Sequence, residues 1–185
     1  MIPIAGLAIA GGILAFAALR HSNASKREDE DEDMSEDADA AYDLPELAES
    51  IGWPYWWNRG SPSTPWYQGA NGVDCNGYSQ MAMVRVGTLD ESEPDRSASA
   101  MADWCVPVAI GEQRPGDLAY YPGHTMVVCS EPFEDGHSAV IGASGGGRTT
   151  QGDDPKARVK VFSSALYRGD FVTYMRPPYD EDDDG

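Results

Sequence analysis

Ala70–Val86 reads "ANGVDCNGYSQMAMVRV". Asp74 is a good N-cap residue, and the letters after it carry helix-compatible spacing. The pattern predicts a helix from about Cys75 to Val86, with Tyr78, Met81, Ala82, Arg85 and Val86 on one side. A cysteine in the first helical turn sits where free N–H groups and the helix dipole favour an anion. The expectation is a lowered thiol pKa and a nucleophile beside ready-made oxyanion donors.

Around this helix the sequence sorts into two kinds of segment. Upstream, "LPELAESIG" predicts a short helix closed by Gly52, and "WPYWWNRGSPSTPWYQGANG" an aromatic loop rich in Pro and Gly. Downstream, a weaker helix is expected around Ser97 to Trp104. Then come "DLAYY", "HTMVVCS", "SAVIGAS", "RVKVFS" and "FVTYMR", short β-rich runs parted by Pro/Gly turns. Asp135-Gly136 is a hairpin signal. The fold class expected is α+β, a Cys-bearing helix packed on an antiparallel β-sheet.

Charge divides the chain further. Of 185 residues with net charge −18, the stretch from Arg27 to Glu49 holds twelve acids and one base, and Asp180 to Asp184 adds five acids. Such blocks are solvated and extended. Between Ser50 and Tyr179 stand fourteen acids and ten bases, with no basic stripe, which excludes nucleic acid as an expected partner. Ile2 to Leu19, "IPIAGLAIAGGILAFAAL", carries no charge over eighteen residues. It is read as a possible transmembrane helix, with a buried helix in an assembly as the alternative. The expected organisation is a hydrophobic helix at 1–20, an acidic linker at 21–43, a folded domain at 44–179 and an acidic tail at 180–185.

Cys75, Cys105 and Cys129 are far apart and lack metal-ligand spacing, so no metal and no cofactor are expected. One reactive thiol and two buried ones is the simplest reading. A nucleophile needs a base, and three histidines are available. His21 adjoins the apolar run. His137 follows the Asp-Gly turn at a hairpin tip. His124 opens a strand, where a sheet can hold it against a helix start.

These residues carry a family resemblance. "GVDCNGYSQ" resembles the Asp-Cys-Ser-Gly motif of the NlpC family of papain-like cell-wall peptidases. "RPGDLAYY" is similar to its Pro-Gly-Asp-Leu segment, "HTMVV" to the strand that carries its base, and "IGWPYWW" to its Gly-x-Pro-Tyr stretch. "VIGASGGG" and "ARVKVFSSALYRGDFVTYMRP" look like the closing strands of phage-associated members. The resemblance runs in order from about Leu44 to Pro178.

It implies a thiol endopeptidase of papain-like, NlpC-type core that cleaves peptidoglycan stem peptides, usually between γ-D-glutamyl and the diamino acid. Cys75 is then the nucleophile and His124 the base, while Tyr55, Asp74 and Asn76 take substrate-binding positions. Asn76 stands where the motif has serine. The third catalytic position, usually a histidine, aligns with the side-chain-free Gly142. His137 and Ser144 are nearby candidates, and that role stays unassigned.

Arg20, Lys26 and Arg27 after the apolar run would keep a host enzyme's domain on the cytoplasmic side, away from the wall. A virion component has no such conflict, so the expectation is a virion-associated or membrane-anchored lysin, partnered by peptidoglycan, a membrane or virion proteins. Two alternatives stand beside it. One is a catalytically lapsed module that grips peptidoglycan or a virion partner. The other is an amidase or acyl-transfer enzyme on another substrate.

Overall fold

The computed structural model describes residues 43–178. The apolar N-terminal run, nearly all of the acidic linker and the acidic tail lie outside the described residues. Among the described residues no helix is long and apolar enough to cross a membrane.

Six strands form one antiparallel sheet. They are β1 (Val106–Val108), β2 (Leu118–Tyr121), β3 (His124–Val128), β4 (Val140–Ser144), β5 (Arg158–Phe162) and β6 (Thr173–Arg176), in the order β1-β6-β2-β3-β4-β5. Among the described residues two α-helices precede them, α1 (Cys75–Arg85) and α2 (Ala98–Trp104). The α+β expectation therefore holds, as do all five strand runs read from the sequence. The turn at Asp135-Gly136 lies in the β3–β4 connection, with Gly136 at φ 82°.

Two expectations need correction. "LPELAESIG" forms a 3-10 helix over Pro45–Ser50, and a second 3-10 helix, Trp66–Asn71, interrupts the aromatic loop. β1 carries Pro107 and gives no strand signal in the sequence. It exists because it is an edge strand against β6, where a missing N–H is tolerated.

The sheet is buried on both faces. Val127, Cys129, Ile141, Val159 and Met175 belong to the larger core, which also takes Tyr78, Met81 and Ala82 of α1. Ala119, Tyr121, Met126, Val128, Val140 and Tyr174 form a second cluster, covered by Phe162, Tyr167 and Phe171. β3 is consequently buried along its whole length. Strands enclosed on both sides read as continuous apolar runs, and "MVV" and "AVI" do so here.

Helix α1 lies on β3 and β4 and is also packed by both 3-10 helices, so Gly77 through Met83 are all buried. Its residues therefore do not divide into an apolar and a polar side. Of the residues expected on one side, Tyr78, Met81 and Ala82 are buried while Arg85 is exposed. The polar residues within the buried stretch are matched individually. The Tyr78 hydroxyl lies 2.8 Å from Ser50 Oγ. Gln80 Nε2 donates to Asp95 Oδ1 and to the Arg96 carbonyl, each at 3.0 Å, while Gln80 Oε1 accepts from the Arg96 N–H at 3.0 Å. Ser79 Oγ donates to the Cys75 carbonyl at 2.9 Å and accepts from Thr125 Oγ1 at 3.1 Å. That last chain joins the first turn of α1 to the start of β3.

Gly77 is needed for close approach. A Cβ there would lie 2.2 Å from the Arg59 carbonyl oxygen and 2.7 Å from that of Gly60. In an open helix Gly→Ala gains about 1 kcal/mol. Here Gly77→Ala is expected to destabilise by about 2 kcal/mol net, because overpacking pushes the Arg59–Gly60 loop away. Urea unfolding of the variant tests this, and increased stability would contradict it.

Candidate active site

Asp74 caps α1 as the sequence indicated. Its backbone is extended (φ −94°, ψ 177°) and its carboxylate accepts the Gly77 N–H at 2.7 Å. N–H groups of Asn58 and Asn76 also favour the charged carboxylate. Burial raises its pKa nonetheless, with a smaller contribution from the Asp95 charge. The Asp74 N–H donates to the Arg59 carbonyl at 2.9 Å, so the helix start and the Asn58–Gly60 loop form one unit.

Cys75 follows in the first turn and His124 opens β3. Both line one cleft of about 670 Å³. The other expected site residues, Tyr55, Asp74 and Asn76, line the same cleft, as does Ser144. Among the remaining lining residues are Asp95 and Arg168, which the sequence did not single out. Backbone N–H groups of Thr125, Asn76 and Cys75 itself favour the charged form of the thiol. Thr125 is the residue after His124.

The protonation states differ from the sequence expectation. Burial pushes the Cys75 thiol up to about 11, and the neighbouring Asp74 charge adds to the rise; the three N–H groups only partly offset it. Asp74 thus helps α1 as a cap and opposes a thiolate as a charge. Burial holds the His124 imidazole down at about 4, with the Arg168 cation a second cause. Between those pH values both groups rest neutral, as S–H and free imidazole. Cys105 and Cys129 are free, buried and also raised, by burial first, so the two thiols expected to be buried are so.

Tyr55 is placed by short backbone pairings. Its N–H donates to the Ala157 carbonyl at 2.8 Å, and it forms a parallel bridge with Val73. Its ring lies against Gly146, where a Cβ would come within 2.1 Å of ring carbons. Tyr55 is buried and its phenol pKa is raised by burial, then by Cys75 and Asp74.

Asn76 is used internally. Its Nδ2 donates to the Arg96 carbonyl, the same oxygen that Gln80 reaches. Its buried Oδ1 has no hydrogen-bond partner among the described residues. The residue therefore anchors the Asp95–Ser97 wall of the cleft through its amide nitrogen.

The histidine candidates separate cleanly. His137 Nδ1 lies 3.2 Å from the Tyr174 hydroxyl, and its ring meets Phe171 edge-on at 5.6 Å. It is not among the residues lining the cleft. His124 is buried, with Nε2 2.9 Å from the Tyr167 hydroxyl. Tyr167 had no signal in the sequence. It sits in a 3-10 turn, Ala165–Tyr167, whose only local cue is the capping Ser164.

No family model matches the sequence, and no curated protein matches it. Among solved structures the chain is similar to the P60 domain of an antigen from M. avium subspecies paratuberculosis. The two share 20% identity over 75% of this chain and 93% of that one, with a TM-score of 0.45.

The neutral resting pair gives a reactivity prediction. Iodoacetamide labelling of Cys75 is expected to rise about tenfold per pH unit from pH 7 towards 10, following the thiolate fraction. Labelling resolved by peptide mass spectrometry checks this. A plateau already reached below pH 7 would mean a resting thiolate and contradict it.

Proposed function

We propose that the protein is a cysteine peptidase with an NlpC/P60-type papain-like core that cuts peptidoglycan stem peptides. The observation that carries this reading is the meeting of Cys75 and His124, forty-nine positions apart, in one cleft that Tyr55, Asp74 and Asn76 also line. The ordered motifs from Leu44 to Pro178 favour the same family.

The chemistry follows from the resting states. His124, neutral above about pH 4, takes the thiol proton as sulphur attacks the peptide carbonyl. N–H groups at the start of α1 stabilise the oxyanion. Collapse expels the amine, which receives the proton from His124, and leaves an acyl thioester on Cys75. Water, deprotonated by His124, attacks the thioester, and the acid product leaves with the thiol restored. A general-base route of this kind needs no thiolate at rest, so the raised thiol pKa is compatible with turnover.

Asp74, Asp95 and Tyr55 give one wall of the cleft carboxylates and a phenol, groups that complement a free amine. A stem peptide trimmed to the γ-D-glutamyl–diamino acid bond carries such an amine, and that bond is our proposed target. Asn76 contributes by holding the Asp95–Ser97 wall. We further propose that residues 44–179 act in the cell-wall compartment, tethered through an acidic linker at 21–43 to an apolar segment at 1–20, in a virion-associated or membrane-anchored protein.

Gly142 and the committed amide of Asn76 favour a second reading, a lapsed module that binds peptidoglycan without cutting it. Digestion of purified peptidoglycan, read by mass, separates the two. The full-length protein is expected to release stem-peptide fragments, with an acid limb near pH 4 from His124. Cys75→Ala is expected to lower release by about a thousandfold or more. Release that survives Cys75→Ala contradicts the mechanism. Sedimentation with peptidoglycan but no release by the wild type supports the second reading.

A further inference from the structure

The geometry points to Tyr167 as the positioning residue for His124, taking the place that the family pattern gives to a side chain at Gly142. The inference rests on the reading of Cys75 and His124 as nucleophile and base.

Position 142 cannot serve here. The β3–β4 register pairs Val127 with Ile141 and Val128 with Val140, which sets Gly142 beside Met126. A Cβ at Gly142 would lie 2.4 Å from the Met126 sulphur. The space next to β3 on that face is already filled by methionine. The same register, continued, sets Ser144 across from His124.

Tyr167 reaches the imidazole, with 2.9 Å between its hydroxyl and Nε2. Its ring is tightly held. It stacks on Phe162 with centroids 3.8 Å apart and planes 18° apart, and meets Tyr121 edge-on at 5.5 Å. Tyr121 in turn packs on the His124 ring at 5.6 Å. Both ends of the hydrogen bond are therefore fixed by the same aromatic ring, in a region from which water is largely excluded.

A phenol oxygen offers two lone pairs and one proton, so Tyr167 can accept the His124 Nε2–H or donate to Nε2. The role of His124 as a base selects the sense in which Nε2–H donates to Tyr167. Nδ1 then keeps its lone pair for the Cys75 proton. In the reverse sense, with Tyr167 donating to Nε2, a neutral imidazole carries its proton on Nδ1 and has no lone pair left for the thiol. Tyr167 thus holds the tautomer that makes His124 a base, and it receives the Nε2–H of the imidazolium once the proton has moved. Histidine or amide side chains set tautomers in the same way elsewhere, by the hydrogen bond at the second ring nitrogen.

The test uses the full-length chain labelled with 15N-histidine, by NMR at pH 7, together with turnover of a soluble stem peptide. His124 is expected as the Nε2–H tautomer. Tyr167→Phe keeps the Phe162 stack and removes only the hydroxyl. It is expected to abolish the tautomer preference and to lower kcat by about ten- to a hundredfold with KM unchanged. An Nδ1–H tautomer in the wild type overturns the inference, and that spectrum decides even where Tyr167→Phe does not fold. A folded Tyr167→Phe with the wild-type tautomer and kcat also overturns it. A wild type that cuts no stem peptide, yet holds an Nε2–H tautomer that Tyr167→Phe removes, supports the positioning role and overturns the substrate assignment.

Discussion

The hydrogen-bond chain from Thr125 through Ser79 to the Cys75 carbonyl is the constraint on which the site depends. Its two links, 3.1 and 2.9 Å long, fix the first turn of α1 to the start of β3. Thr125 and Ser79 are both buried, so neither hydroxyl has water to turn to and breaking either link strands a polar group. The thiol and the imidazole sit at the two ends that this chain joins. Their meeting follows from the packing of helix on sheet and does not depend on a mobile loop.

The walls of the cleft are attached to the same unit. Asp74 ties the Asn58–Gly60 loop to the helix start, while Asn76 and Gln80 tie the Asp95–Ser97 segment to the helix body. Tyr55 is positioned by the strand pairings on either side of it. Five of the groups that shape the cleft thus come from, or attach to, the stretch between Val73 and Gln80. A cleft built this way is preorganised, which is what positioning catalysis requires.

The legibility of these features in the sequence varied for physical reasons. Cys75, Asp74, His124 and the long strands follow local rules: a capping residue, an amphipathic or apolar run, turn residues at the ends. β1 does not, because Pro107 hides a strand that exists only through pairing with the distant β6. Position alone points to the wrong sign for the Cys75 pKa shift. Helix-start donors are local and visible, whereas the burial that outweighs them is a property of the packed whole. The role of Asn76 was open for the same reason, since Arg96 is twenty positions away. Tyr167 is the strongest case: forty-three residues from His124, in a short 3-10 turn, it is brought to the imidazole only by the folding of β5 back along β4.

Under the proposed function Cys75, assisted by His124, attacks a peptide carbonyl bound in this cleft. A stem-peptide aldehyde with 13C at the γ-glutamyl carbonyl tests it most directly, because addition of the thiol converts the aldehyde into a thiohemiacetal that mimics the attacked state. The expected result is a 13C thiohemiacetal signal that forms on Cys75, disappears in Cys75→Ala and is strongly weakened in His124→Ala. A free aldehyde signal that persists with the wild-type protein, or an adduct on Cys105 or Cys129, would contradict it.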